Sequence, residues 1–208
     1  MSHKVKSPTL KRKRRDLADD LEALDLTIGE TEALLIDALN LAERMMNKAY
    51  REISAIIRLD NKDWKDTFNS NRKLKKWFGE VKRKNHVRDV ERRMDSICDR
   101  MNKGISIRLR PQKERTHNAQ NTGTFFEPRR FKVFPNLIAK DSEPDEGRDA
   151  IAAVLIHELM HTWFKDQRLG DKKTYGAERA EDLAKYDPRK ARRSAENYEH
   201  YCLDLWRS

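Results

Sequence analysis

The pattern H-E-x-x-H occupies residues 157–161 and lies in an apolar, helix-favouring segment. On a helix, residues four positions apart share one face, so the imidazoles of His157 and His161 converge on one point. Two imidazoles so placed suit a zinc ion, and Glu158 can act beside it as a base toward water. The pattern predicts the helix of a zinc hydrolase; the alternative is a buried helix with two structural histidines.

The residues around the motif favour the catalytic interpretation. The three motif residues are expected to share one side of the helix. The apolar side chains expected to face a core on the other side are Val154, Leu155, Leu159 and Trp163. A one-sided helix of this kind presents its polar residues together.

The composition and the first residues of the chain indicate its cellular location. Among its 208 residues there is no run of 18 apolar residues, so we expect no membrane span. The first residues contain no apolar signal region, which predicts synthesis in the cytoplasm, with any export by a specialised secretion system. Two cysteines, Cys98 and Cys202, are too few for a disulfide framework, and two buried thiols are expected.

The chain is basic, with 45 Lys and Arg against 35 Asp and Glu, a net charge of +10. The excess lies in residues 4–15 and 72–93. Such clusters attract nucleic acid or acidic proteins, but no aromatic interleaving or nucleic-acid motif accompanies them. We therefore predict a flexible basic arm or linker over residues 1–24, a single domain over residues 25–208, and nucleic acid as a less favoured partner.

Hydrophobic spacing predicts mostly helices, with a few strands after residue 104. The predicted helices span about residues 30–59, 87–101, 177–186 and 188–206, with a short segment around Trp77 and Phe78. The predicted strands are Ile105–Arg110, Thr124–Phe126 and Phe131–Phe134, with a polar loop at 111–123. The fold class is α+β: a mostly helical, zincin-like domain with a small antiparallel sheet and an active-site helix that carries H-E-x-x-H.

A catalytic zinc ion needs a third protein ligand, which we expect after the motif. The candidates are Asp166, Asp171, Glu178, Glu181, Asp182 and Glu199. Spacing alone does not choose among them.

Several segments resemble the aspzincin family, the deuterolysin and peptidyl-lysine metalloendopeptidase group. Residues 170–176 resemble the family segment G-T-x-D-x-x-Y-G in the pair Tyr175-Gly176. This loop is one residue shorter than the family pattern, and Asp171 stands four positions before Tyr175 instead of three. Residues 187–191 and 194–201 resemble the later patterns D-P-x-K-A and N-A-D-N-x-E-Y-F. With upstream landmarks such as Trp77-Phe78-Gly79, the resemblance covers about residues 28–205.

The resemblance implies a role for each matching residue. His157, His161 and Asp171 would bind one zinc ion, with Asp166 and Glu178 as alternatives to Asp171. Glu158 would deprotonate the attacking water, and Tyr175 would donate its hydroxyl to the developing oxyanion.

Glu196 and Glu199 are three apart and share a helix face. In the lysine-specific members, acidic residues at matching positions line the pocket for the residue after the cut. Two carboxylates there would attract a Lys or Arg side chain of a protein or peptide substrate; the alternative is a solvated acidic pair.

The lack of a signal and of disulfides resembles the bacterial branch, in which such domains act as toxin or effector modules. That resemblance implies delivery into another cell and an immunity or inhibitor protein as partner.

Two other functions are compatible with the sequence. A protease of the SprT kind also uses H-E-x-x-H and would suit the basic charge, but this chain has no Cys-x-x-Cys zinc ribbon. A non-catalytic basic binding module is the third, although an intact Glu158 serves no purpose in a purely structural metal site.

Overall fold

The structure is a computed structural model that describes residues 3–6, 11–60, 63–111, 119–121, 130–139, 147–161 and 176–208. For residues 11–13, 119–121, 130–131 and 139 it describes the backbone alone. The chain divides into two compact units, Met1–Glu43 with Arg100–Thr162 and Arg44–Asp99 with Trp163–Ser208. Residues 25–208, predicted as one domain, contribute to both.

Two of the described helices, at Ile28–Ile57 and Lys84–Asn102, have residues in both units. The strands are β1 (Lys4–Lys6), β2 (Ser106–Leu109), β3 (Ala119–Asn121) and β4 (Arg130–Val133). The helices are α1 (Lys11–Glu22), α2 (Ile28–Ile57), α3 (Asp63–Ser70), α4 (Arg72–Phe78), α5 (Lys84–Asn102), α6 (Pro135–Ala139), α7 (Gly147–Met160), α8 (Ala177–Tyr186), α9 (Pro188–Ala191) and α10 (Ala195–Trp206). The mostly helical α+β class is confirmed.

Helix α2 begins at a capping box, in which two residues satisfy each other's backbone N–H groups. The Glu30 N–H donates to the Thr27 hydroxyl, and the Glu30 carboxylate accepts from the Thr27 N–H and hydroxyl. An apolar stripe then follows the helix and is fully buried, including Leu35, Leu39, Met46 and Ile53.

The sheet in the first unit has the order β1-β2-β4-β3 among the described strands. The pairs β1–β2 and β2–β4 are parallel, and β3–β4 alone is antiparallel. The predicted antiparallel sheet is therefore wrong for two of the three pairs. Alternation of apolar and polar residues tells which face of a strand is buried, but it carries no information about the direction of the neighbouring strand.

The amino-terminal segment contributes to the first unit. Within residues 1–24, predicted as a flexible arm, β1 pairs with β2 and α1 buries Leu17 and Leu21 completely. His3 precedes β1; its Nδ1 accepts from the Ile105 N–H at 3.1 Å, and its Nε2 lies 3.1 Å from the Glu43 carboxylate. The four-residue spacing of two leucines is easily overlooked in so basic a segment.

The second unit is helical in its described part. Phe78 of α4 makes edge contacts with Tyr198 and Tyr201 of α10, with ring centroids 4.9 and 5.1 Å apart. Cys98 and Cys202 are buried thiols, as expected, and burial raises the pKa of Cys202.

The single helix predicted over residues 188–206 is wrong, because the chain turns between α9 and α10. The Arg192 carbonyl accepts from the Arg93 guanidinium at 2.7 Å and from the Tyr198 hydroxyl at 3.0 Å. The Arg93 and Tyr198 side chains thus hydrogen-bond the Arg192 carbonyl, which would accept from a backbone N–H if the helix were continuous.

Two further predictions concern the region after β2. Strand β3 lies inside the stretch predicted as a polar loop, whereas Thr124–Phe126 lies outside the described residues.

None of the described helices has the length and apolar character that a bilayer crossing requires.

Candidate active site

Helix α7 carries the motif in the first unit and packs beside β3. From Ala150 to Met160 it is buried on nearly every side, and only Val154 and Glu158 are partly exposed. The predicted one-sided helix is therefore too simple, because a helix apolar all round is an interior element. His161, directly after α7, is also partly exposed, so a narrow open strip runs through residues 154, 158 and 161.

The two histidines lie together as the four-residue spacing predicts. The helical hydrogen bond from the His161 N–H to the His157 carbonyl measures 3.2 Å, so the turn is continuous. The ring centroids of His157 and His161 are 4.6 Å apart, at 79° to each other. His157 is 7% exposed, so one imidazole is nearly enclosed while the other reaches the open strip.

Their donor atoms fit a zinc ion. One ligand atom from each of His157, Glu158 and His161 lies within 4.8 Å of the other two. Two ligands of a tetrahedral zinc, each about 2.1 Å from the metal, are about 3.4 Å apart. Two imidazole nitrogens with an adjacent carboxylate are therefore compatible with this metal in type and spacing.

The other predicted site residues lie in different parts of the chain. Asp166, Asp171 and Tyr175 lie outside the described residues. Glu178, Glu181 and Asp182 all belong to α8, where Glu178 stands exposed in the first turn.

Glu196 and Glu199 lie on α10 in the second unit, where Glu196 is buried and Glu199 is partly exposed. The Gly176 N–H donates to Glu196 Oε1 at 2.7 Å. Gly176 is the residue before α8, so this carboxylate satisfies a backbone donor at the start of that helix. Burial with a specific donor distinguishes Glu196 from an ordinary solvated acid.

Sequence reasoning missed the site roles of His200, which contacts Glu196, and of Trp77, which contacts His200. His200 Nε2 lies 3.3 Å from Glu196 Oε1, and the His200 ring stacks on Trp77, with centroids 5.0 Å apart at 22°. The spacing from Glu196 to His200 is four residues, which brings them to one helix face and was available from the sequence. The contact with Trp77 joins α10 to α4, and nothing in the sequence indicated it.

Comparison with known proteins adds the family. The sequence profile of the aspzincins, described as lysine-specific metallo-endopeptidase, matches residues 64–203, more than half of the chain. The chain belongs to the aspzincin family. As an aspzincin it is a zinc metalloendopeptidase that uses one zinc ion and acts on protein or peptide substrates.

A structural comparison agrees with this aspzincin assignment at the level of the fold. A zinc peptidase from Grifola frondosa superposes with a TM-score of 0.60 at 17% sequence identity, covering 86% of this chain and 97% of that one. No curated protein sequence matches the chain.

Proposed function

We propose that the zinc centre of this endopeptidase is built on α7, with His157 and His161 as ligands and Glu158 as the general base. The observation that carries the proposal is the cluster of two imidazoles and one carboxylate whose ligand atoms lie within 4.8 Å of one another. The partial exposure of Glu158 and His161 supports it, because a catalytic centre has to be reached by water and substrate.

In this proposal His157 and His161 would hold the zinc ion, which when bound would supply Lewis-acid polarisation of the scissile carbonyl and a lower pKa for water. Glu158 accepts a proton from the attacking water and passes it to the leaving amine. The nearly complete burial of His157 fixes its ring and keeps competing water away from that side.

The third ligand and the oxyanion donor rest on the family resemblance. We propose Asp171 as the third ligand and Tyr175 as the hydroxyl donor, with Asp166 and Glu178 as the alternative ligands. Of these, Glu178 has a described position, exposed in the first turn of α8. Substitution of each acid to Ala, followed by zinc analysis, distinguishes them.

The substrate preference follows from α10. We propose that Glu196 and Glu199 form an acidic pocket for a Lys or Arg side chain after the scissile bond. Two carboxylates on one helix face attract a cation, and the burial of Glu196 strengthens that attraction because the local dielectric is low.

The test of the centre compares Glu158→Gln with the wild type on an unfolded protein substrate, and zinc content is measured in both. Because Glu158 acts as base, the variant should keep its zinc and lose about a thousandfold in hydrolysis rate. His161→Ala is the matched ligand variant and should lose the zinc itself. Full turnover by Glu158→Gln would contradict the proposal.

The test of the pocket uses two peptides that differ after the scissile bond, one with Lys and one with norleucine. Glu199→Gln should lower kcat/KM for the Lys peptide about tenfold and leave the norleucine peptide nearly unchanged. An equal effect on both peptides would contradict the pocket.

For the cellular role we propose a bacterial effector or toxin, restrained by an inhibitor protein and delivered by a specialised export route. The basis is the resemblance to the bacterial branch. Expression of the wild type in the cytoplasm of a target bacterium should arrest growth, and Glu158→Gln should not.

The SprT-like and non-catalytic alternatives are not favoured by any described contact. Hydrolysis that depends on added DNA would favour the SprT-like alternative.

A further inference from the structure

We propose that His200 is a positioning residue for Glu196, and through it a determinant of the preference for a basic side chain. This inference rests on the acidic pocket of the proposed function. The juxtaposition that carries it is a histidine held between a buried carboxylate and an indole ring: Glu196 on one side and Trp77 on the other.

The first step concerns the contact with Glu196. Both side chains are largely enclosed, with 19% of His200 and 11% of Glu196 exposed. An ionised carboxylate only accepts hydrogen bonds, so His200 Nε2 is the donor across the 3.3 Å to Oε1. The same oxygen accepts from the Gly176 N–H, and two donors from different segments fix the orientation of the carboxylate.

The second step concerns what holds His200. Its ring stacks on Trp77, and Trp77 is itself fixed by two residues of α10. The indole N–H donates to Asp204 at 2.9 Å, and the Trp77 carbonyl accepts from the Asn197 amide at 2.7 Å. The indole is thus a rigid platform that restricts the imidazole to orientations in which Nε2 points to Glu196.

The third step concerns charge around the platform. Lys76 Nζ lies 4.4 Å from the Trp77 ring centroid, and it pairs with Glu181 and Asp204 at 3.2 and 3.6 Å. This cation is therefore engaged by carboxylates other than Glu196. Glu196 accepts from the His200 ring and from the Gly176 N–H, and these two donors orient the carboxylate.

The experiment compares two substitutions with different chemistry. His200→Phe keeps a ring to stack on Trp77 and removes the donor, whereas His200→Gln restores an N–H donor without the ring. For each variant, kcat and KM are measured on the Lys and norleucine peptides, and the urea midpoint reports folding. His86→Phe, the same change on α5 of the same unit, is the control.

We expect His200→Phe to lower the Lys-to-norleucine ratio of kcat/KM about fivefold, through KM for the Lys peptide. His200→Gln should recover most of that ratio, and His86→Phe should leave it unchanged. An unchanged ratio in His200→Phe, or an equal loss on both peptides, would overturn the role of His200 while leaving the pocket intact. A wild-type ratio near one would refute the acidic pocket, and the role of His200 with it.

Discussion

Asn197 shows how one buried side chain holds the second unit together. It is fully buried on α10, and its amide donates to the Trp77 carbonyl of α4 and the Ala180 carbonyl of α8, both at 2.7 Å. One residue therefore ties three helices, which is why an amide stands where apolar neighbours would otherwise be expected.

Replacing Asn197 with Ala should lower the free energy of unfolding by about 2 kcal/mol, because two buried carbonyls lose a donor and a small cavity remains. The urea midpoint measures this loss. Asn85→Ala, at an exposed position of α5, is the matched control and should change stability by less than about 0.5 kcal/mol. Equal stability of the two variants would contradict the role of Asn197.

At the scale of elements, local signals locate helices well and strand partners poorly. Helix α8 occupies the predicted residues 177–186, because Gly176 precedes it and Asp187-Pro188 ends it. Strand β1 was not predicted, since three residues carry little periodicity and its partner β2 lies about a hundred positions away. Because the paired strands are far apart in the sequence, the parallel direction of their pairing could not be predicted either.

Gly79, directly after α4, lies close to α8 and α9 and leaves no room for a side chain. Its φ is +66°, and a Cβ there would stand 2.2 Å from the Ala184 carbonyl oxygen and 2.8 Å from Pro188. Gly79→Ala should therefore destabilise the protein by at least about 2 kcal/mol in urea unfolding. Gly29→Ala, where the nearest atom is 4.0 Å away, should instead be stabilising by about 0.5 kcal/mol. Similar effects at both glycines would contradict this account.

The capping box of α2 should make stability depend on pH. Hydrogen bonds from the Thr27 hydroxyl, and then from its backbone N–H, lower the pKa of Glu30 below its ordinary value of 4.5. Because the pKa is lower in the folded state, the stabilisation is present above the unfolded pKa and disappears as the pH falls through the folded pKa.

Glu30→Gln should therefore have a lower melting temperature than the wild type near neutral pH, and the difference should vanish well below pH 4.5. Thr27→Val tests the same box from the other side and should remove the pH-dependent part. A difference that is constant with pH would show that the carboxylate charge has no part in the cap.

At the scale of the whole molecule, the sequence predicted the chemistry more fully than the architecture. The five residues of the motif predicted the convergence of His157 and His161, because a helix fixes that spacing by itself. The surroundings of Glu196 could not be predicted in full, since the Gly176 N–H that bonds to it and the Trp77 ring that stacks on His200 come from other parts of the chain. Family membership adds the metal and the reaction class.

The most direct test of the central claim is the mapping of cut sites by mass spectrometry on a mixture of unfolded proteins. Zinc-loaded wild type is compared with Glu158→Gln. We predict cuts by the wild type alone, with Lys or Arg as the first residue of the new amino termini. The same cuts in both proteins, or no cuts by the wild type, would contradict a zinc endopeptidase whose base is Glu158.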